Sequence, residues 1–183
     1  QLLLAVRDFR KALRSAVRSA APADRTAAAF ATEVLQKRLL SGPWAFGQSW
    51  LALVDGLSDE VATADAVARA TSASADDSDD DAEKESRHRH VGKVVGAWLR
   101  QWKDRVAAEI TAVSAHVSAL GVTRVPPGLD ASSHQAAVVE RAPGVKADAR
   151  LRALETLLDD RLRTGKVWRD DERIVIFTEY LAT

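Results

Sequence analysis

The stretch VGKVVGAWLRQWKDRVAAEITAVSAHVSAL (residues 91–120) carries the strongest structural pattern in the chain. Its apolar side chains recur every three or four residues, which is the spacing of one face of an α-helix. The stripe consists of Val91, Val94, Val95, Trp98, Trp102, Val106, Ile110, Val113, Val117 and Leu120. The pattern predicts one continuous helix of about eight turns. Gly121 and the Pro126-Pro127 pair end it, and residues 121–145 read as a connector.

Three further helices are predicted upstream of this stretch. Residues 2–20 and the segments following Pro22 and Pro43 all show apolar side chains at helical spacing. Pro22 ends the first pattern, and Asp24 and Thr26 are candidate N-caps for the second helix. The sequence Ser41-Gly42-Pro43 separates the second helix from the third, because proline suits the first turn of a helix.

Residues 71–90 have a different composition. Seven of the ten residues from 76 to 85 are acidic, and Arg87, His88, Arg89 and His90 follow. Such a segment buries too little apolar surface to offset the entropy lost on ordering. The composition therefore predicts a mobile acidic loop over 71–90.

The end of the chain predicts a different kind of unit. Residues 146–163 show a leucine-rich helical pattern, and Gly165 is a candidate C-cap. Residues 174–177 are four consecutive apolar residues, which is typical of a parallel strand buried on both faces. We therefore expect a mainly α fold, a helical bundle with a long helix, followed by one terminal helix–strand unit of an α/β sheet.

Composition excludes several classes of function. The chain has 183 residues, 26 basic and 26 acidic side chains, a formal net charge of zero, and neither Cys nor Met. The lack of cysteine excludes disulfides, thiol catalysis and cysteine-ligated zinc. No signal peptide or membrane span is apparent, so we expect a cytoplasmic protein without a membrane partner. Because the chain lacks an initiating Met and opens inside a periodic run, we also expect a piece of a longer protein.

Two motifs resemble a phosphate-binding loop and a metal site, but a structural interpretation is favoured for each. Residues 42–49 have the glycine spacing of a phosphate-binding loop, but Gln48 stands where that motif needs lysine, and a helix–helix corner is favoured. His88 and His90 lie close together, but spacing fixes no third metal ligand. The sequence therefore predicts no catalytic, cofactor-binding or metal-binding residue in this chain.

Basic side chains are clustered locally although the total charge is zero. The first helix carries Arg7, Arg10, Lys11, Arg14 and Arg18 on its polar face. Five other residues are candidate phosphate contacts, namely Lys37, Arg38, Arg100, Lys103 and Arg105. The alternative for each cluster is an ordinary solvated helix face. Trp98 and Trp102 are either core residues or a platform for stacking bases.

Three segments together resemble a known family. Residues 146–158 form a leucine-bearing helix, and residues 172–180 read ERIVIFTEY. Residues 30–46 read FATEVLQKRLLSGPWAF. In this order they resemble Snf2-type superfamily 2 helicases of the bacterial HepA-like kind, at the start of the second RecA-like lobe and at a helical corner between the lobes. Gly42 departs from the second serine that many relatives have there.

The resemblance implies a domain division and a role. Residues 1–145 would form the helical inter-lobe region, and residues 146–183 would begin the second motor lobe. The parent would use ATP and Mg²⁺ and act on double-stranded DNA, with Thr178 as a weak nucleic-acid contact. This chain alone would lack ATPase activity, because the residues that bind ATP lie outside it. Two alternatives stay open, a non-catalytic all-α protein-interaction module and an all-α signalling domain.

Overall fold

The computed structural model describes residues 1–74, 81–124, 149–165, 167–169, 171 and 173. The described chain is mainly α-helical, which confirms the predicted fold class. Its helices are α1 (Leu2–Ala16), α2 (Pro22–Ser41), α3 (Pro43–Gly56), α4 (Ala64–Ser74), α5 (Asp81–Leu99), α6 (Ala107–Ala119) and α7 (Ala149–Leu162). A 3₁₀ segment, Arg100–Arg105, joins α5 to α6.

Prolines set the boundaries of the first helices. Pro22 is the first residue of α2 and Pro43 the first residue of α3, where a missing N–H costs no hydrogen bond. The N-caps predicted at Asp24 and Thr26 are therefore wrong, because α2 already includes both residues. Thr26 donates its hydroxyl proton to the Pro22 carbonyl within the first turn.

Helices α1–α6 share one apolar core centred on Trp50. The Trp50 ring meets Phe9 of α1 edge-on at a centroid distance of 5.2 Å and stacks on Phe46 at 6.0 Å. Its indole N–H donates to the Ser114 hydroxyl of α6 over 3.0 Å, so the buried donor is satisfied. Trp50 thereby connects α1, α3 and α6 at one point.

Helices α3 and α5 approach each other backbone to backbone. A Cβ atom placed on Gly56 would collide with the Lys93 carbonyl, and one placed on Gly96 would collide with the Leu53 carbonyl. Only glycine permits so close an approach of two helix backbones. Residues 91–99 are therefore held firmly against α3.

The predicted continuous helix over 91–120 is wrong in one respect. Helix α5 ends at Leu99, and α6 begins only at Ala107, after the 3₁₀ segment and a non-helical Val106. No proline or glycine lies between these helices, so the break has a tertiary cause. Val106 is fully buried, and the neighbouring Arg105 donates to the Ala16 carbonyl of α1 over 2.9 Å.

The predicted acidic loop over 71–90 is wrong at residues 71–74 and 81–90, which are helical. Residues 75–80 lie outside the described part of the chain. The composition argument fails for α5 because Glu85 is buried against Arg38 rather than solvated. One ion pair thus supplies part of the ordering that the segment lacks in apolar contacts.

The C-terminal part agrees with the prediction only as far as it is described. Helix α7 lies where a helix is predicted, and two short antiparallel strands follow, β1 (Arg163–Thr164) and β2 (Val167–Trp168). Gly165, the predicted C-cap, has φ +65 and lies in the turn between these strands. The predicted strand at 173–178 falls almost wholly outside the described residues.

Within the described part of the chain, no helix combines the length and apolar character needed to cross a membrane.

Candidate nucleic-acid interface

Four arginines surround the turn at residues 17–20 that joins α1 to α2. Arg18 lies in the turn, and Arg14 lies one helical turn earlier on the same face of α1. Arg105 donates to the Ala16 carbonyl over 2.9 Å, and Arg25 donates to the Ala20 carbonyl over 2.9 Å. All four side chains belong to exposed residues. We call Arg14, Arg18, Arg25 and Arg105 the arginine cluster.

The arginine cluster is electrostatically uncompensated. Among the described residues, no carboxylate forms an ion pair with any of its four members. The hydrogen bonds of Arg105 and Arg25 go to main-chain carbonyls near the C-terminal end of α1, where the helix dipole favours positive charge. These bonds position two guanidinium groups without neutralising them.

Other basic residues of the bundle differ from the cluster in this respect. Arg7 pairs with Asp8 at 2.9 Å, and Arg87 pairs with Glu83 at 2.6 Å. Arg124 contacts Asp55 at 2.6 Å, and this hydrogen bond raises the pKa of Arg124. An already paired cation gains less from a phosphate, because it must first give up its carboxylate.

The two tryptophans of the α5–α6 region have different surroundings. Trp98 is 0% exposed and donates its indole N–H to Asp24 over 2.9 Å, so it is a core residue and offers no stacking face. Trp102 is half-buried, with the Arg105 guanidinium 5.4 Å from its ring centroid. The contact between Trp102 and Arg105 is a cation–π interaction that helps to orient the guanidinium.

Besides Arg105, three of the predicted phosphate contacts lie on the surface. Lys37 is exposed and pairs with Glu33 at 3.0 Å. Arg100 is exposed and donates to the Asp59 carbonyl over 2.7 Å. Lys103 is exposed in the same 3₁₀ segment as Arg105, so it lies beside the arginine cluster. Thr178 lies outside the described residues.

Arg38 is not on the surface, contrary to the expectation of an exposed phosphate contact. It is 1% exposed, and its Nη2 donates to the Glu85 carboxylate over 2.7 Å and 3.0 Å. Its Nε donates to the Ser49 hydroxyl over 3.0 Å. In this conformation Arg38 joins α2, α3 and α5, and no phosphate can reach it from solvent.

The phosphate-loop spacing at residues 42–49 belongs to a helix–helix corner, as predicted. Pro43 opens α3, and Gln48 donates to the Thr123 carbonyl over 2.7 Å. A Cβ on Gly47 would lie 2.7 Å from a methyl carbon of Val122. The glycine thus allows close packing, and the backbone amides are used within the helix.

Metal-ligating side chains and cavities were the remaining candidates for a site. The described residues contain no group of three His, Asp or Glu side chains placed to hold a metal ion. An open groove of about 470 Å³ between α1 and α6 is floored by Ala5, Ala108 and Ala112. Two acidic residues, Asp8 and Glu109, also line the groove, and Asp8 is already paired with Arg7.

Sequence reasoning missed the arginine cluster as a unit. It recognised Arg14 and Arg18 within a basic helix face but did not single out Arg25. Arg105 and Ala16 are 89 positions apart, so no local spacing brings Arg105 to the end of α1. The available signals were the basic residues of the first helix and Arg105 among the basic residues that flank the tryptophans.

Compared with protein-family models, with curated proteins and with solved structures, the chain has no match among any of the three. A function for the chain is therefore inferred from the chemistry of its residues and from the resemblance of its motifs to Snf2-type helicases.

Proposed function

We propose that this chain is the helical inter-lobe region, with the start of the second motor lobe, of a Snf2-type DNA-dependent ATPase. In this role the arginine cluster contacts the phosphate backbone of duplex DNA. The observation that carries the proposal is a set of four exposed arginines that pair with no carboxylate of the described residues. Two of them are fixed by main-chain hydrogen bonds, in a chain of zero net charge.

The chemistry of the cluster suits phosphate rather than a neutral ligand. Guanidinium groups form paired, charge-assisted hydrogen bonds with phosphate oxygens. Binding also releases counterions condensed on the DNA, which makes affinity depend strongly on salt. Because backbone phosphates are the same in every sequence, this contact positions the duplex without reading its bases.

The packing of the bundle supports a mechanical role. The close approach of α3 and α5 at Gly56 and Gly96, together with the Trp50 cluster, favours a stiff body over a flexible linker. A stiff body transmits the movement of one motor lobe to a DNA contact on the other side. In this proposal ATP and Mg²⁺ are bound by other parts of the parent protein, which is cytoplasmic.

The sharpest test is charge reversal within the cluster. Neither Arg14 nor Arg18 forms a side-chain hydrogen bond or ion pair with another described residue, so R14E/R18E leaves the bundle intact. The matched control is R7E/R124E, which changes the net charge equally but alters arginines that already have carboxylate partners. Affinity for a short DNA duplex is measured by fluorescence anisotropy at fixed salt.

We expect R14E/R18E to weaken duplex binding at least tenfold and R7E/R124E to weaken it much less. Circular dichroism checks that both variants stay folded. Equal losses in the two variants would reduce the effect to net charge and reject the cluster as the interface. Unchanged affinity in R14E/R18E would favour the alternative of a non-catalytic interaction module.

A further inference from the structure

The buried ion pair between Arg38 and Glu85 keeps the guanidinium group of Arg38 away from solvent. In an exposed position this group would bind phosphate. Arg38 is 1% exposed and Glu85 is 8% exposed, and Nη2 of Arg38 contacts both oxygens of the Glu85 carboxylate, at 2.7 Å and 3.0 Å. Arg38 lies near the end of α2, beside the exposed Lys37. Glu85 lies in the first half of α5, 47 positions further along the chain.

The two halves of α5 are attached to the bundle in different ways. Residues 91–99 bury Val91, Val95 and Trp98, and Gly96 brings this half against the α3 backbone. Between residues 83 and 90, Glu85 is the one described residue that is buried. We call residues 83–90 the latch. Glu85 gives the latch a buried ion pair with Arg38, and α5 also packs against α4, whose Val67 and Ala70 are buried.

Breaking the pair leaves a charge that cannot stay buried. A guanidinium without its carboxylate is far more costly to bury than to hydrate. The lowest-energy response is to lift the polar latch, because the 91–99 half would have to give up its close packing with α3. Opening exposes Arg38 next to Lys37, on the surface of the Ser41-Gly42-Pro43 corner.

We propose that the latch is an intramolecular competitor for phosphate, in which Glu85 masks Arg38 until nucleic-acid phosphate or a change in the pair displaces it. Carboxylate and phosphate both present two oxygens to the same guanidinium edge, so each can replace the other. Once open, Arg38 adds one phosphate contact to those of the arginine cluster. This inference rests on the proposed function for the identity of the ligand.

The first test measures opening without any DNA. Hydrogen exchange is followed by mass spectrometry in the full chain carrying E85Q, and in the control E83Q, which changes an exposed carboxylate of the same helix. We expect E85Q to speed exchange in peptides covering 83–90 at least tenfold, with residues 91–99 unchanged, and E83Q to have little effect. Equal acceleration of both halves of α5, or none, would overturn the latch.

The second test measures masking with a DNA duplex. We expect E85Q to steepen the plot of log affinity against log salt by about one, which is the contribution of one further phosphate contact. The double variant R38M/E85Q should return to the wild-type slope. If E85Q opens the latch but leaves the slope unchanged, Arg38 is not a masked phosphate contact.

The two proposals fail in different ways. If R14E/R18E loses duplex binding and the salt slope of E85Q is unchanged, the arginine cluster is retained as the interface. The masking of Arg38 by Glu85 is then rejected. If E85Q steepens the salt dependence, R38M/E85Q restores the wild-type slope and R14E/R18E has no effect, the masking of Arg38 is retained. The interface then lies at the Ser41-Gly42-Pro43 corner. If neither the wild type nor E85Q binds duplex, both proposals are rejected.

Discussion

Lys37 and Arg38 are neighbours in the sequence but lie in opposite environments. Lys37 is exposed beside Glu33, whereas Arg38 is buried with Ser49 and Glu85. The apolar spacing of α2 could not show this, because Arg38 is placed by an acid from a segment that composition assigns to a loop. At the residue scale, sequence reasoning finds basic side chains but not their partners.

His88 gives the bundle a pH-dependent stability. Burial, and then the charge of Arg38, lowers the pKa of His88 from 6.5 to about 4. The unfolded chain therefore takes up this proton near pH 6.5, and the folded chain only near pH 4. Because the unfolded state binds more protons between these values, the free energy of unfolding should fall as the pH decreases from about 6.5 to about 4.

The variant H88Q removes this titration. Measured by urea unfolding at a series of pH values, the free energy of unfolding should depend less on pH for H88Q than for the wild type above pH 4. The carboxylates of the two proteins titrate alike in this range. Two curves that stay parallel through this range would contradict the burial of a neutral His88.

Gly96 tests the close contact between α3 and α5. Alanine normally favours a helix over glycine by up to about 1 kcal/mol. Here the added methyl group would collide with the Leu53 carbonyl. We expect G96A to lower the free energy of unfolding by about 1–3 kcal/mol, a typical cost of overpacking. Ser118→Ala on the exposed face of α6 is the control, and a G96A protein as stable as the wild type would argue against the close approach.

At the scale of elements, the sequence predicts most helices but misses α4, the early start of α5 and the break between α5 and α6. The periodicity of α1 and α3 leads directly to the observed helices, because local apolar spacing determines which face is buried. The periodicity of α7 predicts the helix, but its described residues bury no face. The break between α5 and α6 escapes prediction, since the apolar stripe continues across it. It depends on the contact of Arg105 with α1, and α5 likewise begins early because of the Arg38–Glu85 pair.

The helices should differ in local stability according to their burial. In α3 a majority of the side chains are buried, whereas no described residue in 152–162 of α7 is buried. Amide exchange reports the free energy of local opening. We expect α7 to exchange at least a hundredfold faster than α3 in the same sample. Comparable protection of the two helices would mean that α7 packs against a surface that these contacts do not include.

At the scale of the whole molecule, zero net charge is an average over unlike regions. The arginine cluster is unpaired, while acidic residues are concentrated between residues 76 and 85. Overall charge therefore gave no sign of the candidate interface. Only the fold brings Arg105 and Arg25 to the two ends of one turn.

We also expect that this chain does not hydrolyse ATP. Hydrolysis requires phosphate, Mg²⁺ and arginine contacts in one place. Residues 42–49 lack the lysine of a phosphate-binding loop and are used in helix packing. Phosphate release from the purified chain with ATP and Mg²⁺ should equal the buffer rate, with and without duplex. DNA-stimulated release would require an ATP site within these 183 residues.

Binding of duplex phosphates by the arginine cluster should make the affinity of the wild-type chain strongly dependent on salt. Affinity for a short duplex is measured by fluorescence anisotropy across a series of NaCl concentrations. If the four arginines each contact a phosphate, the plot of log affinity against log salt should have a slope of about −3 to −4. A flat plot, or no binding at low salt, would contradict phosphate binding by the cluster.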